Sequence, residues 1–364
     1  MNTFDFAIVG AGMAGASLAA ELALHASVLL LEAEERPGYH ATGRSAAFWD
    51  ECYGGPEIVP LTLASGPYLR ERGFLTQRGA LYIGRDEDAP LLRGFLDRFS
   101  ATGATIELLD REALVAKAPD LQAQWQAAIW EPACSDIDVA GLHAHYLALG
   151  RERGVRLETR ARLTAAAQHD GGWALRTERG ETFVAGTLVN AAGAWADELA
   201  RLAGARPLGI TPLRRTVVQL RTAPELAADI PLVLDIAGGF YFKPEAGRLW
   251  LSPNDEVPSA PCDAAPEELD VAEAIERLSQ VVDWRVEAVE HRWAGLRSFA
   301  PDRLPVYGFD PQVEGFAWFA GQGGYGIQTA PAAARLTAQL LLGHKRDTMT
   351  AGLDAALYTP GRFG

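Results

Sequence analysis

The chain has 364 residues, 48% of them hydrophobic and 22% charged, and 33 basic against 47 acidic residues leave a formal net charge of −14. That length supports a large core and two interwoven domains rather than one. The acidic balance, with no basic block, argues against nucleic acid or an anionic membrane surface as partner.

Cys52, Cys134 and Cys262 have neither a CxxC nor a metal-ligand spacing, which fits reduced thiols, a cytoplasmic location and no metal site. No charged segment precedes the first apolar run, so no signal peptide is expected. No stretch of about 18 apolar residues is present to span a membrane.

Residues 4–9, FDFAIV, read as a buried parallel strand. Gly10, Gly12 and Gly15 follow as G-x-G-x-x-G, residues 16–24 continue in helix formers, and Val28–Leu31 is a second strand closed by Glu32. Each part has a physical task. Gly10 permits the tight turn, Gly12 lets backbone approach a pyrophosphate, and Gly15 lets the helix pack on the strand. Free N–H groups at the helix start stabilise phosphate charge. Glu32 stands where an acid accepts hydrogen bonds from a ribose hydroxyl, which disfavours a 2′-phosphate and hence NADP.

A helix is expected over residues 139–150, then strands over 155–161, 173–178 and 181–184, set off by the turn signals HDGG and ERG. A strand at 187–190 runs into Ala192, Gly193 and Trp195, opening a helix over 195–202. Strands are expected at 207–221, 237–244 and 248–253, an amphipathic helix over 266–282, and a strand over 287–293. Late in the chain, GFAWFAGQGGYGIQ is a strand running into Gly323, Gly324, Tyr325, Gly326 and Ile327, followed by a helix over Ala330–Leu342 with Pro331 in its first turn. A helix start beside this second glycine loop stabilises negative charge on a ring being reduced. An NAD enzyme has no use for it, so the cofactor expected is FAD. In ATGRSAA, the small residues Ser45 and Ala46 let backbone N–H groups reach the flavin, and Arg44 offsets phosphate charge. His40, in the same loop, reads equally well as a loop cap.

The stretches GAGMAGASLAAELA, GYHATGRSAA, LVNAAGAW, WAGLRSFAPD and QGGYGIQ resemble the D-amino-acid oxidase/glycine oxidase family of FAD-dependent amine oxidoreductases, and within it the D-arginine dehydrogenase branch. The likeness weakens at about 54–135 and at 253–285. It implies an α/β fold: a Rossmann-like FAD-binding domain of residues 1–50, 139–205 and 298–364, with an antiparallel or mixed-sheet substrate domain of residues 51–138 and 206–297 inserted. Pairing of the late strands with residues 74–84 would roof the flavin.

Oxidising an amino acid at a flavin moves a hydride from Cα to N5, and a neutral substrate amine can drive that transfer without a strong protein base. A carboxylate anchor is still needed, and a planar guanidinium suits it best. The resemblance gives that place to Arg297, after the strand 287–293. Arg214 and Arg215 are neighbours in a strand and point to opposite faces; the resemblance selects Arg215. It also implies that Tyr241 reaches the carboxylate, that Tyr53 closes over the substrate, and that Gly324 and Gln328 lie by the amine.

Departures from the family pattern bear on the substrate. Ala80 stands where the relative has a glutamate, Phe48 where it has a histidine, and Leu232 and Leu234 add aliphatic surface. Without the acid, burying a cation costs several kcal/mol, on the order of 3–5. The expected substrate is therefore a neutral, apolar D-amino acid, unless Arg78, Asp50 or Glu51 enters the pocket. No cysteine stands by the flavin loops, so FAD is expected to be non-covalent. The products are an imino acid, then a 2-oxo acid and ammonia. Electrons pass to a quinone, another carrier or O2, with the resemblance favouring a dehydrogenase. Glycine, sarcosine, D-proline-type amines or a 2-hydroxy acid are alternative substrates, and an FAD-binding subunit needing a partner chain is a different class of reading.

Overall fold

The computed structural model describes residues 3–364. Its first large sheet has eight strands, with the path Leu163–His169, Gly172–Thr177, Thr182–Asn190, Thr3–Val9, Val28–Leu31, Arg156–Glu158. Phe316–Ala320 also pairs with Thr182–Asn190 and carries Val306–Phe309. The centre is parallel: Thr3–Val9 runs alongside both Val28–Leu31 and Thr182–Asn190. Residues such as Ala7, Ile8, Leu29 and Leu30 are buried, as a parallel strand covered on both faces demands. Helices Met13–Leu22 and Ala330–Leu342 close one face, with Leu18, Leu22 and Leu336 in a single core with Ile8, Leu30 and Phe319.

The second sheet has ten strands, in the order Gln322–Gly323, Arg285–Phe299, Thr211–Ala223, Arg248–Ser252, Tyr241–Glu245, Leu232–Asp235, Ala80–Gly84, Ala127–Glu131, Glu107–Leu109, with Val257–Pro258 beside Thr211–Ala223. It is mixed, because Leu232–Asp235 and Ala80–Gly84 run parallel. Period-two alternation sorts its side chains. Leu81, Ile83, Val218, Leu220, Val233, Phe242 and Leu251 pack against Val271, Ala274 and Leu278 of helix Glu268–Ser279. The opposite face turns inward. A small three-stranded sheet of Phe48–Trp49, Ser135–Ile137 and Leu75–Gln77 adjoins it.

Several expected elements change extent. The strands expected at 181–184 and 187–190 are one, Thr182–Asn190. Its first half pairs with Gly172–Thr177 and its second with Phe316–Ala320, so Gly186 does not end it. Residues 163–169, whose burial is slight, form a strand that the sequence did not announce. Arg297 lies inside the strand Arg285–Phe299 rather than after it. Residues 75–77 join the small sheet, and only Ala80–Gly84 enters the large one.

Candidate active site

A cavity of about 690 Å³ runs between the two large sheets, from Glu32 to Arg297. At one end it meets the C-terminal ends of Thr3–Val9, Val28–Leu31, Thr182–Asn190 and Phe316–Ala320, where ligands sit in open parallel sheets. Gly10 has φ +103°, and a Cβ there would strike the Ala191 carbonyl. At Gly12 a Cβ would lie 3.1 Å from Thr42 Oγ1, which accepts from Met13 N at 2.9 Å. Gly15 does not line the cavity; its missing Cβ makes room for the Gly10 carbonyl, the packing task that the spacing implies. Glu32 is buried at the strand end, and its two oxygens accept from Ala11 N and Glu34 N, each at 2.9 Å.

Ser45, Ala46, Ala192, Gly193, Trp195, Gly323, Gly324, Gly326 and Ile327 all line the cavity. Tyr325, expected among them, does not. Its ring is buried between Tyr53 and Phe299, and its hydroxyl donates to the Arg303 carbonyl. Arg44 lines the cavity, but its guanidinium turns to Asp263 and to the carbonyls of Ala264 and Ala294, so its charge is already matched. His40 borders the same space, bonded to Glu34 at 3.0 Å and packed on Trp195. A long slot with a glycine cradle at a helix start, a buried acid by the second strand and a second glycine loop at the far end fits FAD. Gly10, Gly12 and Glu32 would hold its nucleotide part, and Ser45, Ala46, Gly323 and Gly324 would border its ring.

At the other end, the inward face of the ten-stranded sheet presents Arg297, Arg215, Val217, Tyr241, Leu234 and Tyr82. Arg215 pairs with Gly295 across the strands, which puts it on the face of Arg297. Arg214 points the other way and is held by Glu267 and by Asp270 at 2.9 Å. Arg215 is only 6% exposed and well partnered: Nε donates to the Asp255 carbonyl at 2.7 Å, Nη1 to Asn254, and Nη2 to Glu256 at 3.4 Å. Arg297 differs. Among the described residues its guanidinium has no hydrogen-bonded or ion-paired partner, and it lies 5.7 Å from the centre of the Tyr53 ring. Burial and the like charge of Arg297 lower the basicity of Arg215. Burial also opposes charge on Arg297, but Tyr53, Tyr241, Glu256 and Asp255 leave its basicity raised. A Cβ on Gly324 would strike the Tyr53 hydroxyl and lie 3.1 Å from the Arg297 guanidinium carbon, so glycine keeps this corner open.

Phe48 and Leu234 line the cavity as expected, with Phe48 edge-on to Tyr241 at 5.6 Å. Ala80 and Leu232 do not. They are register partners two residues before Tyr82 and Leu234, fully buried on the correct face, and only the later pair reaches the open space. Gln328 is also outside it: its amide is spent on the Asp50 backbone and on Thr62 at 2.8 Å. Arg78 turns to Asp136 at 2.6 Å, and Glu51 accepts from Thr105 N.

Asp50 does enter the wall, together with Tyr82, Phe95, Ile236 and Phe240, which the sequence reading missed. The alternation in ALYIG puts Tyr82 on the face of Ala80, and that was the available signal. The carboxylate of Asp50 accepts from Cys52 N and Tyr53 N at 2.9 Å and from the Tyr82 hydroxyl at 2.5 Å. Among the described residues no metal-binding cluster forms, and no helix is long and apolar enough to cross a membrane.

The family model for DAO, FAD dependent oxidoreductase, matches residues 5–340. The hydrogen cyanide synthase subunit HcnC of Pseudomonas aeruginosa is 24% identical over 423 aligned residues, covering 100% of this chain and 97% of that one. Glycine oxidase of Geobacillus kaustophilus is 26% identical over 361 residues, covering 93% of each chain. Its crystal structure matches with a TM-score of 0.85 at 24% identity, over 99% of this chain and 98% of that one. The crystal structure of L-proline dehydrogenase from P. horikoshii matches with a TM-score of 0.87 at 22% identity, over 100% of this chain and 98% of that one.

Proposed function

The chain belongs to the DAO family of FAD dependent oxidoreductases, and from that membership we propose that it oxidises a D-amino acid with a neutral, bulky apolar side chain. In this reading Arg297 anchors the substrate carboxylate, Arg215 stands beside it, held in place by Asp255, Asn254 and Glu256, and Tyr53 and Tyr241 donate hydroxyls to the same group. The observation that carries it is a guanidinium without a counter-ion in a largely apolar cavity. Arg297 is half-buried along the cavity wall, and a charge held there without a hydrogen-bonding partner is unfavourable, so the site suits an anion that arrives with the substrate. A planar carboxylate matches the guanidinium fork.

Bound FAD supplies the two-electron acceptor for the Cα–H bond, and the imino acid released hydrolyses in water to a 2-oxo acid and ammonia. The chain's own residues orient the substrate. Pinning the carboxylate on Arg297 fixes which Cα–H direction faces the glycine loop at Gly323 and Gly324. The side chain then extends toward Phe48, Leu234, Ile236, Tyr82 and Phe95. Asp50 is in that wall, but its oxygens are occupied by two amides and a hydroxyl, which leaves a cationic side chain little to pair with. The D configuration and the use of an acceptor other than O2 follow from the motif resemblance. On the same reading, residues 1–50, 139–205 and 298–364 hold the cofactor, and the protein is cytoplasmic and active as a single chain.

Anaerobic reduction of the purified flavoprotein by D- and L-amino acids, glycine, sarcosine, D-proline and 2-hydroxy acids, followed by air, tests the reading. Rapid bleaching by D-Leu, D-Phe or D-Met and slow bleaching by D-Arg is the expected outcome. Bleaching by N-alkylated glycines or 2-hydroxy acids alone would replace the substrate, and no bleaching by any of them would point to a missing partner chain.

A further inference from the structure

Tyr53 is brought against Arg297 by a short turn, and the turn hangs on two buried carboxyl groups. Three successive amides end on them: Glu51 N on Glu131 Oε1 at 2.7 Å, then Cys52 N and Tyr53 N on Asp50 Oδ1, each at 2.9 Å. Asp50 is 1% exposed and Glu131 is 0% exposed. Consecutive amides of one turn therefore converge on the two acids, which sit side by side behind it, and Asp50 raises the basicity of Glu131. Two carboxylates so placed cannot both be ionised. Glu131 Oε2 is moreover a buried oxygen without a hydrogen-bond partner among the described residues, and the only donor set against that carboxyl besides the Glu51 amide is the weak S–H of Cys52. A proton there turns the orphaned acceptor into a donor, and Asp50 is the acceptor beside it.

We propose that Asp50 and Glu131 share one proton, and that this proton keeps Tyr53 turned onto Arg297. Glu131 lines no part of the cavity and acts as a positioning residue, through Asp50. The inference deepens the proposed function, since it rests on Tyr53 being part of the carboxylate clamp. Other charged or titratable groups face the pair from each element around it. Glu51 and Cys52 are in the turn, Tyr82 is on Ala80–Gly84, and Cys134 and Asp136 follow Ala127–Glu131. Lys243 is on Tyr241–Glu245, and Arg70 on helix Val59–Glu71 faces Glu51. Lys243 is drawn off by Asp136 at 2.6 Å and Glu245 at 2.7 Å, so it does not neutralise the pair.

Burial holds both carboxyls above the usual range, and the neighbouring acid holds Glu131 higher still. The sign follows. A folded-state pKa raised above the unfolded value gives stability that is complete below the unfolded carboxylate pKa and is lost as pH rises through the folded one. The turn therefore loosens on the alkaline side.

Glu131→Gln keeps a donor for Asp50 and removes the titration; Glu131→Leu removes both. The direct readout is hydrogen–deuterium exchange of the holoprotein for residues 51–53, corrected for the intrinsic pH dependence. Protection in the parent is expected to fall on the alkaline side, and protection in Glu131→Gln to stay level. KM for the best amino acid should rise with pH in the parent more than in Glu131→Gln, and by about tenfold at neutral pH in Glu131→Leu, with kcat less affected. An alkaline loss of protection in Glu131→Gln equal to that of the parent would overturn the proposal. So would a KM in Glu131→Leu within twofold of the parent. If no amino acid reduces the flavin while the exchange pattern is as expected, the latch stands and the proposed substrate fails.

Discussion

The two ends of the cavity are built from different material. At the nucleotide end the walls are backbone: Gly10, Gly12 and the turn after Ala191 meet the space with main-chain groups, and glycine is there because a Cβ would strike a carbonyl or a hydroxyl. At the substrate end the walls are side chains from strands far apart in sequence, Tyr82 beside Leu234 beside Tyr241. A backbone site binds by shape and dipole, so its identity lies in spacing. A side-chain site depends on which register pair reaches the opening.

Substitution separates the two ends. The largest effect is expected from Arg297→Leu, which should lower kcat/KM by on the order of 10²–10³-fold while the purified protein keeps its flavin absorbance. Gly12→Val should do the reverse, lowering flavin content at least about tenfold through loss of close approach to the cofactor, with the second sheet still folded by circular dichroism. Loss of flavin from the first variant and not the second would break the contrast between the ends.

Leu232 and Leu234 sharpen it within one strand. Leu232→Ala opens a cavity in closed packing and is expected to cost about 2–5 kcal/mol in denaturant unfolding, with the order of preferred substrates unchanged. Leu234→Ala should cost less stability and shift preference toward larger side chains by several-fold in kcat/KM, on the order of 1 kcal/mol. The smallest effect is expected from Arg214→Leu, whose partners Glu267 and Asp270 lie on the far face. Its kcat/KM should stay within about threefold of the parent, because the guanidinium points away from the cavity.

This contrast also governs what could be read from the sequence. The strand, three glycines and terminal acid of residues 4–32 are local in the chain, so the parallel sheet and the nucleotide cradle were legible there. The choice of Arg215 over Arg214 needed only strand alternation and the motif likeness, and the geometry places Arg215 in the cavity. Ala80 and Leu232 were put on the right face but at the wrong depth, because the height of a register pair is set by the packing of Leu92, Ile129 and Cys134 around it. Gln328 and Tyr325 stand in a loop whose neighbours line the cavity, yet their side chains satisfy partners behind it. The unbroken strand Thr182–Asn190 was hidden by Gly186, which reads as a breaker until its neighbours on both halves are known. The motif likeness reaches the family and not the D-arginine dehydrogenase branch: the DAO model matches residues 5–340, and similar structures include a glycine oxidase and an L-proline dehydrogenase.

The most direct measurement is anaerobic flavin reduction by one D-amino acid and by the amine that lacks its carboxylate, in the parent and in Arg297→Leu. If Arg297 grips the substrate acid group, the amino acid reduces the parent far faster than the amine, and the substitution removes that advantage. Equal reduction by the two compounds in the parent would mean that the free guanidinium serves something else.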